Sequence, residues 1–308
     1  MNVSLSVIAH VAVILAACMW GSIGVFVRTL DNYNYSAMTI VFVRMIIAFV
    51  LLFTYLCLFN KKDLLRIKLK DAWIFISAGI SSAVLLNLFY SMSIVANTLS
   101  LASVLLATAP FYVVFLSALF FKEKITAVKI TALLVAFIGC VLTSGLIGSG
   151  ATFNPFGVFI GVLSGIGWAV YSIFSRFALN RGYDSLTISV YTFGIGFLSC
   201  IPFTNFEVIG TSIQGQPVFM LFFLLAHALV ASLLPYMLYN YGLNYVETGK
   251  AAIMSGIDPV TAVLLGAVIY AEIPSFTCSL GIVLVLLAIA LLNLPRGFQT
   301  FIPGKAKG

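Results

Sequence analysis

Ten long apolar segments dominate the sequence and leave few folds open to it. Each is about 20 residues long, the length that an α-helix needs to cross the roughly 30 Å hydrocarbon core of a bilayer. They cover residues 6–27, 37–59, 72–93, 99–121, 125–146, 155–177, 185–206, 217–241, 249–270 and 275–294. Because the segments are continuously apolar, whereas barrel strands alternate, helices are predicted. The expected fold is an all-α integral membrane protein with ten transmembrane helices.

The composition assigns the whole chain to the lipid bilayer. Hydrophobic residues make up 62% of the 308 residues and charged residues only 8%, whereas a soluble domain carries roughly a quarter charged residues. No stretch remains for a soluble domain of ordinary size. The five cysteines fall in apolar segments and lack the spacing of a zinc site or a disulfide framework, so no metal is expected.

Basic residues predict how the helices are oriented. The net charge is +7, and 14 of the 16 Lys and Arg residues lie on the side that holds the N-terminus, in the loops after spans 2, 4, 6 and 8 and in the C-terminal tail. The opposite side holds only Arg28, and Arg44 lies within span 2. The positive-inside rule then predicts a multi-pass protein of the cell membrane with both termini in the cytoplasm. Since orientation explains the charge, no nucleic-acid partner is expected.

The two halves of the chain repeat each other at a nearly constant offset of 148 or 149 residues. The pairs are Trp20/Trp168, Arg28/Arg176, Tyr35/Tyr183, Tyr90/Tyr239, Ala102/Ala251, Pro110/Pro259, Leu116/Leu265, Ala118/Ala267 and Glu123/Glu272. Each half, 1–147 and 148–308, holds five spans, and because five is odd the second half enters the membrane in the opposite sense. Inverted repeats characterise secondary transporters, in which two similar halves exchange conformations around a central site.

Short motifs in both halves follow the order and spacing of a known family. They are Ala17-Cys18-Met19-Trp20-Gly21-Ser22, Val43-Arg44-Met45, Ala109-Pro110 and Phe121-Lys122-Glu123-Lys124, echoed by Gly167-Trp168-Ala169, Asp258-Pro259 and Ala271-Glu272-Ile273. With these motifs the chain resembles the drug/metabolite transporter superfamily, of the ten-helix type with two EamA domains. The second half departs from the first, because Thr192 stands where Arg44 would recur.

The resemblance implies an architecture and a class of function. Helices 1–4 and 6–9 are expected to line a central cavity, with helices 5 and 10 outside and both termini cytoplasmic. Members of the superfamily move amino acids, nucleotide-related compounds, cationic drugs, vitamins and sugars. Membership therefore does not identify the solute.

Three ionisable residues lie deep inside predicted spans, well away from the span ends, where a charge costs about 2.5–3.5 kcal/mol. Asp258, near the midplane of span 9, precedes Pro259, whose missing N–H frees a backbone carbonyl. It is the candidate coupling residue for a proton or a cation, the alternative being a neutral Asp bonded to a neighbouring helix. Arg44 could bind a solute carboxylate, pair with Asp258, or snorkel to the interface. His227, in span 8, is a candidate proton relay or an interhelical hydrogen-bonding residue.

Aromatic and amide side chains complete the candidate cavity. They are Trp20, Asn87, Tyr90, Trp168, Tyr171, Tyr191, Tyr236 and Tyr239. Aromatic faces attract organic cations and stack on planar solutes, and the alternative is ordinary helix packing. Glu123 and Glu272 lie at equivalent helix junctions, and each is expected to cap the N-terminus of the helix that follows it.

Together these features predict a secondary transporter that works by alternating access. The expected cargo is a small organic solute, an amino acid or related metabolite, moved by export, with protons as a partner at Asp258. An organic-cation importer or facilitator is the alternative among transporters. A channel or an intramembrane enzyme is the alternative of another class, although the sequence has no phosphate-binding glycine loop and no His-Glu-x-x-His motif. No catalytic residue and no cofactor are expected, and no oligomeric state is specified.

Overall fold

Ten membrane helices account for most of the structure. The computed structural model describes residues 3–147 and 154–293. The helices are α1 (Leu5–Asp31), α2 (Ala37–Leu58), α3 (Leu69–Ala96), α4 (Leu99–Phe121), α5 (Ala127–Thr143), α6 (Pro155–Asn180), α7 (Ser185–Phe203), α8 (Pro217–Gly242), α9 (Thr248–Tyr270) and α10 (Phe276–Asn293). Over the described ranges, nine of them are long and apolar enough to cross a membrane, and α5 is a shorter tenth. The predicted class and helix count are confirmed.

Capping side chains explain where several helices begin. Ser36, Thr98 and Thr126 accept hydrogen bonds from first-turn N–H groups of α2, α4 and α5. Asn154 and Asp184 do the same at α6 and α7. Such caps satisfy N–H groups that have no acceptor within the helix, which matters most at the edge of an apolar solvent.

Two short helical segments lie between the membrane helices. A 3₁₀ turn at Lys62–Leu65 connects α2 to α3, and a helix at Phe206–Gly215 connects α7 to α8. The second segment is fastened to the start of α2, because the hydroxyls of Tyr35 and Ser212 are 2.6 Å apart. The connection between α7 and α8 is thus held against the other half of the chain.

The helices pack with an approximate two-fold symmetry. α1 packs on α8 and α9, and α6 makes the equivalent contacts with α3 and α4. α2 packs on α7 and α5 packs on α10, each helix against its own counterpart. At the α5–α10 contact Gly139 lies against Gly281, since only small residues let two backbones approach this closely. Two five-helix repeats, the second inverted, therefore form one bundle.

Besides α1, which is broken at Ser22, four helices are interrupted near mid-depth in two pairs of equivalent positions. α3 contains a π-helical turn at Ser81–Leu85, and α8 contains one at Leu229–Leu233. α4 is interrupted at residues 107–108, and α9 by a 3₁₀ turn at Ser255–Ile257. Interrupted helices present free backbone groups inside the membrane and are typical of transporter binding sites. The centre of the bundle is therefore the candidate site.

The two ends of the bundle differ in how tightly they are packed. We call the side that holds the loops after α2, α4, α6 and α8 the basic side. There, Thr248 at the start of α9 is fully buried, whereas its repeat equivalent Leu99, at the start of α4 on the opposite side, is 60% exposed. Residues 235–242 of α8 are mostly buried, whereas the equivalent residues 86–93 of α3 are mostly half-buried. The bundle is closed on the basic side and more open on the opposite side.

Candidate functional site

The interruptions of α1 and α9 lie directly against each other. α1 is broken at Ser22, and Gly21 beside it faces α9. A Cβ atom placed on Gly21 would lie 2.5 Å from the carbonyl oxygen of Asp258 and 2.7 Å from Cβ of Thr261. No other residue fits so close to a backbone. Two motifs far apart in the sequence therefore meet at the centre of the bundle.

Asp258 is the first residue of the second part of α9 and remains partly exposed. Within the described parts of the chain, its carboxylate has no hydrogen bond and no ion pair. Tyr90 and Cys140 lie within electrostatic range of it, whereas Arg44 does not pair with it. A carboxylate that is deep, unpaired and still accessible can bind a proton or a solute cation.

Arg44 is a buried cation without an acidic partner among the described residues. Its Nη1 donates to the carbonyl oxygen of Ala231, in the π turn of α8, at 3.5 Å, and its Nη2 donates to Oδ1 of Asn87 at 3.2 Å. Its Nε is buried with no acceptor there. The side chain is only 5% exposed, so it does not snorkel to the interface. Because a guanidinium stays charged, the position is suited to an anion supplied by a solute.

Asn87 and Tyr90 connect the surroundings of the two charges. They lie one turn apart on α3, about 4.5 Å along the helix axis. Asn87 accepts from Arg44 and donates through Nδ2 to the carbonyl of Ser82, in the π turn of α3, at 2.7 Å. Tyr90 lies close enough to Asp258 for the two groups to interact electrostatically. α3 therefore carries one polar side chain that bonds to Arg44 and, one turn further on, another that lies near Asp258.

His227 is fully buried beside Arg44. Its ring stacks on Phe26, with centroids 4.9 Å apart, and neither ring nitrogen has a hydrogen-bond partner in the described ranges. The hydroxyls of Ser232 and Thr192 are likewise buried without partners. The interhelical hydrogen bond expected of His227 is not formed in this conformation. Instead, the interior holds several polar groups that a bound solute or water could satisfy.

Five of the predicted aromatic residues pack into one cluster on the basic side of the centre. They are Trp20, Trp168, Tyr171, Tyr236 and Tyr239, with neighbouring ring centroids 4.9–6.3 Å apart. None is more than 8% exposed, so in this conformation the cluster fills the bundle instead of lining an open cavity. Trp20 and Trp168 are repeat equivalents in edge-to-face contact, which places their contact on the pseudo-two-fold axis. Edge-to-face pairs add about 0.5–1.5 kcal/mol to burial.

Tyr191 lies apart from this cluster. Its hydroxyl donates to the carbonyl oxygen of Leu65, in the turn after α2, at 2.7 Å, and its ring packs on Phe75. The structure therefore groups seven of the eight aromatic and amide candidates around the centre and leaves Tyr191 near the basic surface. The position of a residue along a helix does not fix the face that its side chain occupies.

A hydrogen-bond network, which the sequence analysis did not identify, extends from the aromatic cluster. Tyr171 donates to Oδ1 of Asn240 at 3.1 Å, and Nδ2 of Asn240 donates to Oγ of Ser189 at 3.1 Å. The hydroxyls of Ser172 and Tyr239 are 3.0 Å apart. These bonds join α6, α7 and α8 on the basic side of the centre. The sequence signal for Ser172 and Asn240 was only their position next to Tyr171 and Tyr239.

Glu123 closes the basic side by bonding to the other half of the chain. Its Oε1 accepts from the N–H of Thr248 at 2.7 Å, and its Oε2 accepts from the N–H of Gly249 at 3.1 Å. The prediction that Glu123 caps α5 is wrong, since Thr126 caps that helix. The physical reason is the left-handed conformation of Lys122, with φ 55°, which ends α4 and turns the glutamate toward α9.

Cations surround the Glu123 carboxylate. Nζ of Lys129 lies 3.5 Å from its Oε2 and also pairs with Glu247, and Nη2 of Arg176 lies 3.8 Å from its Oε1. Burial alone would raise the pKa of Glu123, but hydrogen bonds from the N–H groups of α9 and the charge of Lys129 hold it below its ordinary value. The carboxylate therefore stays charged and joins α4, α5, α6 and α9.

Glu272 occupies the equivalent position on the opposite side and has different partners. Nη1 of Arg28 lies 2.6 Å from its Oε1, and both side chains are about half exposed. The N–H groups of Leu99 and Ser100, the repeat equivalents of Thr248 and Gly249, have no acceptor in the residues that the structure describes. The prediction that Glu272 caps the following helix is wrong, because Ser275 accepts from the first turn of α10.

Comparison with known proteins connects this architecture to a family. Residues 7–145 and residues 155–294 each match the EamA-like transporter family. Each match covers one five-helix half, and together they span most of the chain. No group of three or more His, Cys, Asp or Glu side chains suited to a metal ion occurs in the described part of the chain.

Relatives of similar length match nearly the whole chain. Over 293 residues it is 26% identical to an uncharacterized inner membrane transporter, YicL, of Salmonella typhimurium, covering 92% of this chain and 94% of that one. Over 302 residues it is 26% identical to an uncharacterized transporter, YxxF, of Bacillus subtilis, covering 92% and 88%. A crystal structure of 17% identity matches with a TM-score of 0.75 over 92% of this chain and 96% of that one, a likeness of fold alone.

Proposed function

Because the chain belongs to the EamA-like transporter family, a family of membrane transporters and not of enzymes, we propose that it carries a zwitterionic solute of the amino-acid class. One observation carries the proposal. Arg44 and Asp258 are opposite charges inside the bundle, and neither has an oppositely charged partner in the described ranges. An unpaired charge inside a membrane is costly. A solute that brings a carboxylate to Arg44 and an ammonium to Asp258 neutralises both.

The surroundings of each charge support this assignment of the two ends. The free Nε of Arg44 is a donor left over for a carboxylate, and Asn87 already orients the guanidinium. Around Asp258, Tyr90 supplies a hydroxyl and an aromatic face, both of which suit an ammonium group. α3 holds Asn87 and Tyr90 one turn apart, so the two ends of a small solute have separate polar contacts.

Asp258 also supports a mechanism that couples the movement of the solute to the movement of protons. A proton and a solute ammonium compete for the same unpaired carboxylate, because each binds it in place of the other. Competition at one site produces exchange, in which the solute leaves as a proton binds and the proton leaves as the solute binds. An inward proton gradient then drives solute outward, so the mode proposed is proton-coupled export.

The sidedness of the cycle follows from the loop charges. We place the basic side in the cytoplasm, together with both termini, on the positive-inside rule. The conformation described above is then the outward-facing one, closed toward the cytoplasm by the aromatic cluster and Glu123. Alternating access requires the two halves, 1–147 and 148–308, to rock about the Trp20–Trp168 contact on the pseudo-two-fold axis.

Counterflow in proteoliposomes tests the proposal. The assay uses labelled neutral amino acids, with the matching amine and the matching carboxylic acid as unlabelled competitors, and compares wild type with Arg44→Gln and Asp258→Asn. We expect the intact amino acid to compete at least tenfold better than either fragment, and both variants to lose most counterflow. Only Asp258 is expected to control the response to an imposed pH gradient.

Tyr191→Phe serves as the matched control. It removes a hydroxyl from a predicted site residue that lies outside the central group, so its counterflow should equal that of the wild type. Competition by the amine alone, with Arg44→Gln still active, would contradict the proposal and indicate an organic-cation carrier. Wild-type activity and unchanged pH dependence in Asp258→Asn would remove the coupling role.

A further inference from the structure

We infer that Glu272 is the second member of a pair of alternating caps: when the bundle opens to the basic side, Glu272 leaves Arg28 and caps the N-terminus of α4 at Leu99 and Ser100, as Glu123 caps α9 at Thr248 and Gly249 here. The inference uses the alternation of the proposed function but not the identity of the solute. It assigns both glutamates a positioning role in transport.

The Glu123 cap is the member of the pair that is formed in this structure. Glu123 lies in the first repeat and Thr248 and Gly249 in the second, so their two hydrogen bonds cross between the halves that must separate. Its side chain is 7% exposed. Opening the basic side breaks these bonds and exposes the first N–H groups of α9.

The opposite side contains every part needed for the same contact. Glu272, Leu99 and Ser100 are the repeat equivalents of Glu123, Thr248 and Gly249, at an offset of 149 residues. α9 ends with Ala271 at φ 55°, as α4 ends with Lys122 at φ 55°. The N–H of each glutamate also bonds to the equivalent carbonyl, Ser117 or Gly266, so both have the same backbone geometry.

Only the bonds from Glu272 to the start of α4 are missing on that side. The side chain of Glu272 is 52% exposed and its carboxylate is bonded to Arg28. The two N–H groups at the start of α4 have no acceptor within the described ranges. Helix N-terminal N–H groups favour an anion, and a carboxylate that spans two of them forms charge-assisted bonds. Glu272 is the acidic side chain that the repeat places there.

The arginines are expected to change partners in the same way. Arg176 donates to the carbonyls of Leu243 and Val246 at the end of α8. Their equivalents on the opposite side are Ile94 and Asn97, at the end of α3. Arg28, now paired with Glu272, is the equivalent of Arg176 and should bond there once Glu272 moves to α4.

Distances between spin labels, measured without a solute, show how far each side of the bundle is closed. Lys124 and Asn244 report on the basic side, and Ile273 and Val95, their repeat equivalents, report on the opposite side; all four are exposed. The full-length protein, with its five native cysteines replaced, is labelled at one pair and studied in lipid nanodiscs. We expect Glu123→Gln to lengthen the Lys124–Asn244 distance and to shorten the Val95–Ile273 distance. Glu272→Gln should populate the conformation described here.

Proline variants test the same bonds from the donor side. Leu99→Pro and Thr248→Pro each delete one N–H at a first helical position, where proline is tolerated, and the preceding residues Thr98 and Glu247 already have the extended conformation that proline favours. Leu99→Pro should act like Glu272→Gln, and Thr248→Pro like Glu123→Gln. Each should shift the ratio of the two conformations by about tenfold, the equivalent of ~1.4 kcal/mol.

The decisive result is whether variants of the two caps change the label distances in opposite directions. Alternating caps are supported if Glu123→Gln and Glu272→Gln shift the two label distances in opposite directions, if Thr248→Pro and Leu99→Pro do the same, and if Glu272→Gln and Leu99→Pro agree. Shifts in the same direction for Glu123→Gln and Glu272→Gln would overturn the inference. The inference would also be overturned if the distances responded only to Glu123→Gln and Thr248→Pro, or if each distance were the same in every variant. The proline variants keep the glutamates, so they decide the question if Glu123→Gln fails to fold.

Discussion

Gly21→Ala is the substitution whose effect the structure specifies most directly. The added methyl group would lie 2.5 Å from the carbonyl oxygen of Asp258 and 2.7 Å from Cβ of Thr261. Ordinary contacts of this kind are about 3.5–4.0 Å. Because one of the two neighbours is backbone, it cannot rotate away, and α1 and α9 must separate by a large part of an ångström. Asp258 moves with α9, so both stability and transport are affected.

The magnitude follows from two opposing contributions. Overpacking a close contact costs typically ~1–3 kcal/mol, while replacing a helical glycine by alanine contributes up to ~1 kcal/mol of stability. Gly24→Ala, three residues further along α1, supplies the matched control, because a Cβ there meets nothing within 4 Å. Both variants gain the same helix propensity, so their difference of ~1–3 kcal/mol isolates the steric contribution.

Thermal unfolding in lipid nanodiscs and counterflow together measure the effect. Gly24→Ala should unfold at or above the wild-type temperature and retain transport. Gly21→Ala should unfold roughly 2–12 °C below Gly24→Ala, at ~2–4 °C per kcal/mol, and lose most of its counterflow. If the two alanine variants unfold together and transport equally, the reasoning about the α1–α9 contact is refuted.

Three further predictions concern the charged groups. Arg44→Lys keeps the charge but loses the forked contact with Ala231 and Asn87, so the apparent affinity in counterflow should fall about tenfold or more, since hydrogen bonds to charged groups contribute ~1.5–3 kcal/mol. Glu123 has a lowered pKa, so the closure that it provides is present above the ordinary value of 4.5 and is lost as the pH falls further; the spin-label distance across the basic side should lengthen only below that pH. Lys129→Met leaves Glu123 and Glu247 without their shared cation, and the same distance should lengthen at neutral pH, with Lys129→Arg as the control.

The membrane explains why so much of the fold could be predicted. A backbone in hydrocarbon has to form helices, so each apolar run of the right length specified one element, and the repeat specified that the second half is inverted. The errors came from contacts across the bundle. Glu123 caps a helix 125 residues further along the chain, and the left-handed turn at Lys122 that directs it there leaves no mark in a sequence of ordinary residues. The face that Tyr191 occupies could not be predicted for a similar reason, since depth in a helix does not specify the face.

Under the proposed mechanism, differences between the two repeats distinguish residues that take part in the motion from residues that bind the solute. A residue used in turn by two conformations that the pseudo-two-fold axis relates is needed in both repeats, and Trp20/Trp168, Arg28/Arg176, Glu123/Glu272 and the two left-handed helix ends occur in both. A solute that is not itself two-fold symmetric is bound by groups that occur once. Arg44 has Thr192 as its equivalent, Asp258 has Ala109, and Asn87 has Tyr236. On this argument, exchanging a binding residue for its repeat equivalent, as in Asn87→Tyr, should abolish solute recognition while the spin-label distances still report both conformations. Loss of both conformations in that variant would show that Asn87 belongs to the moving parts instead.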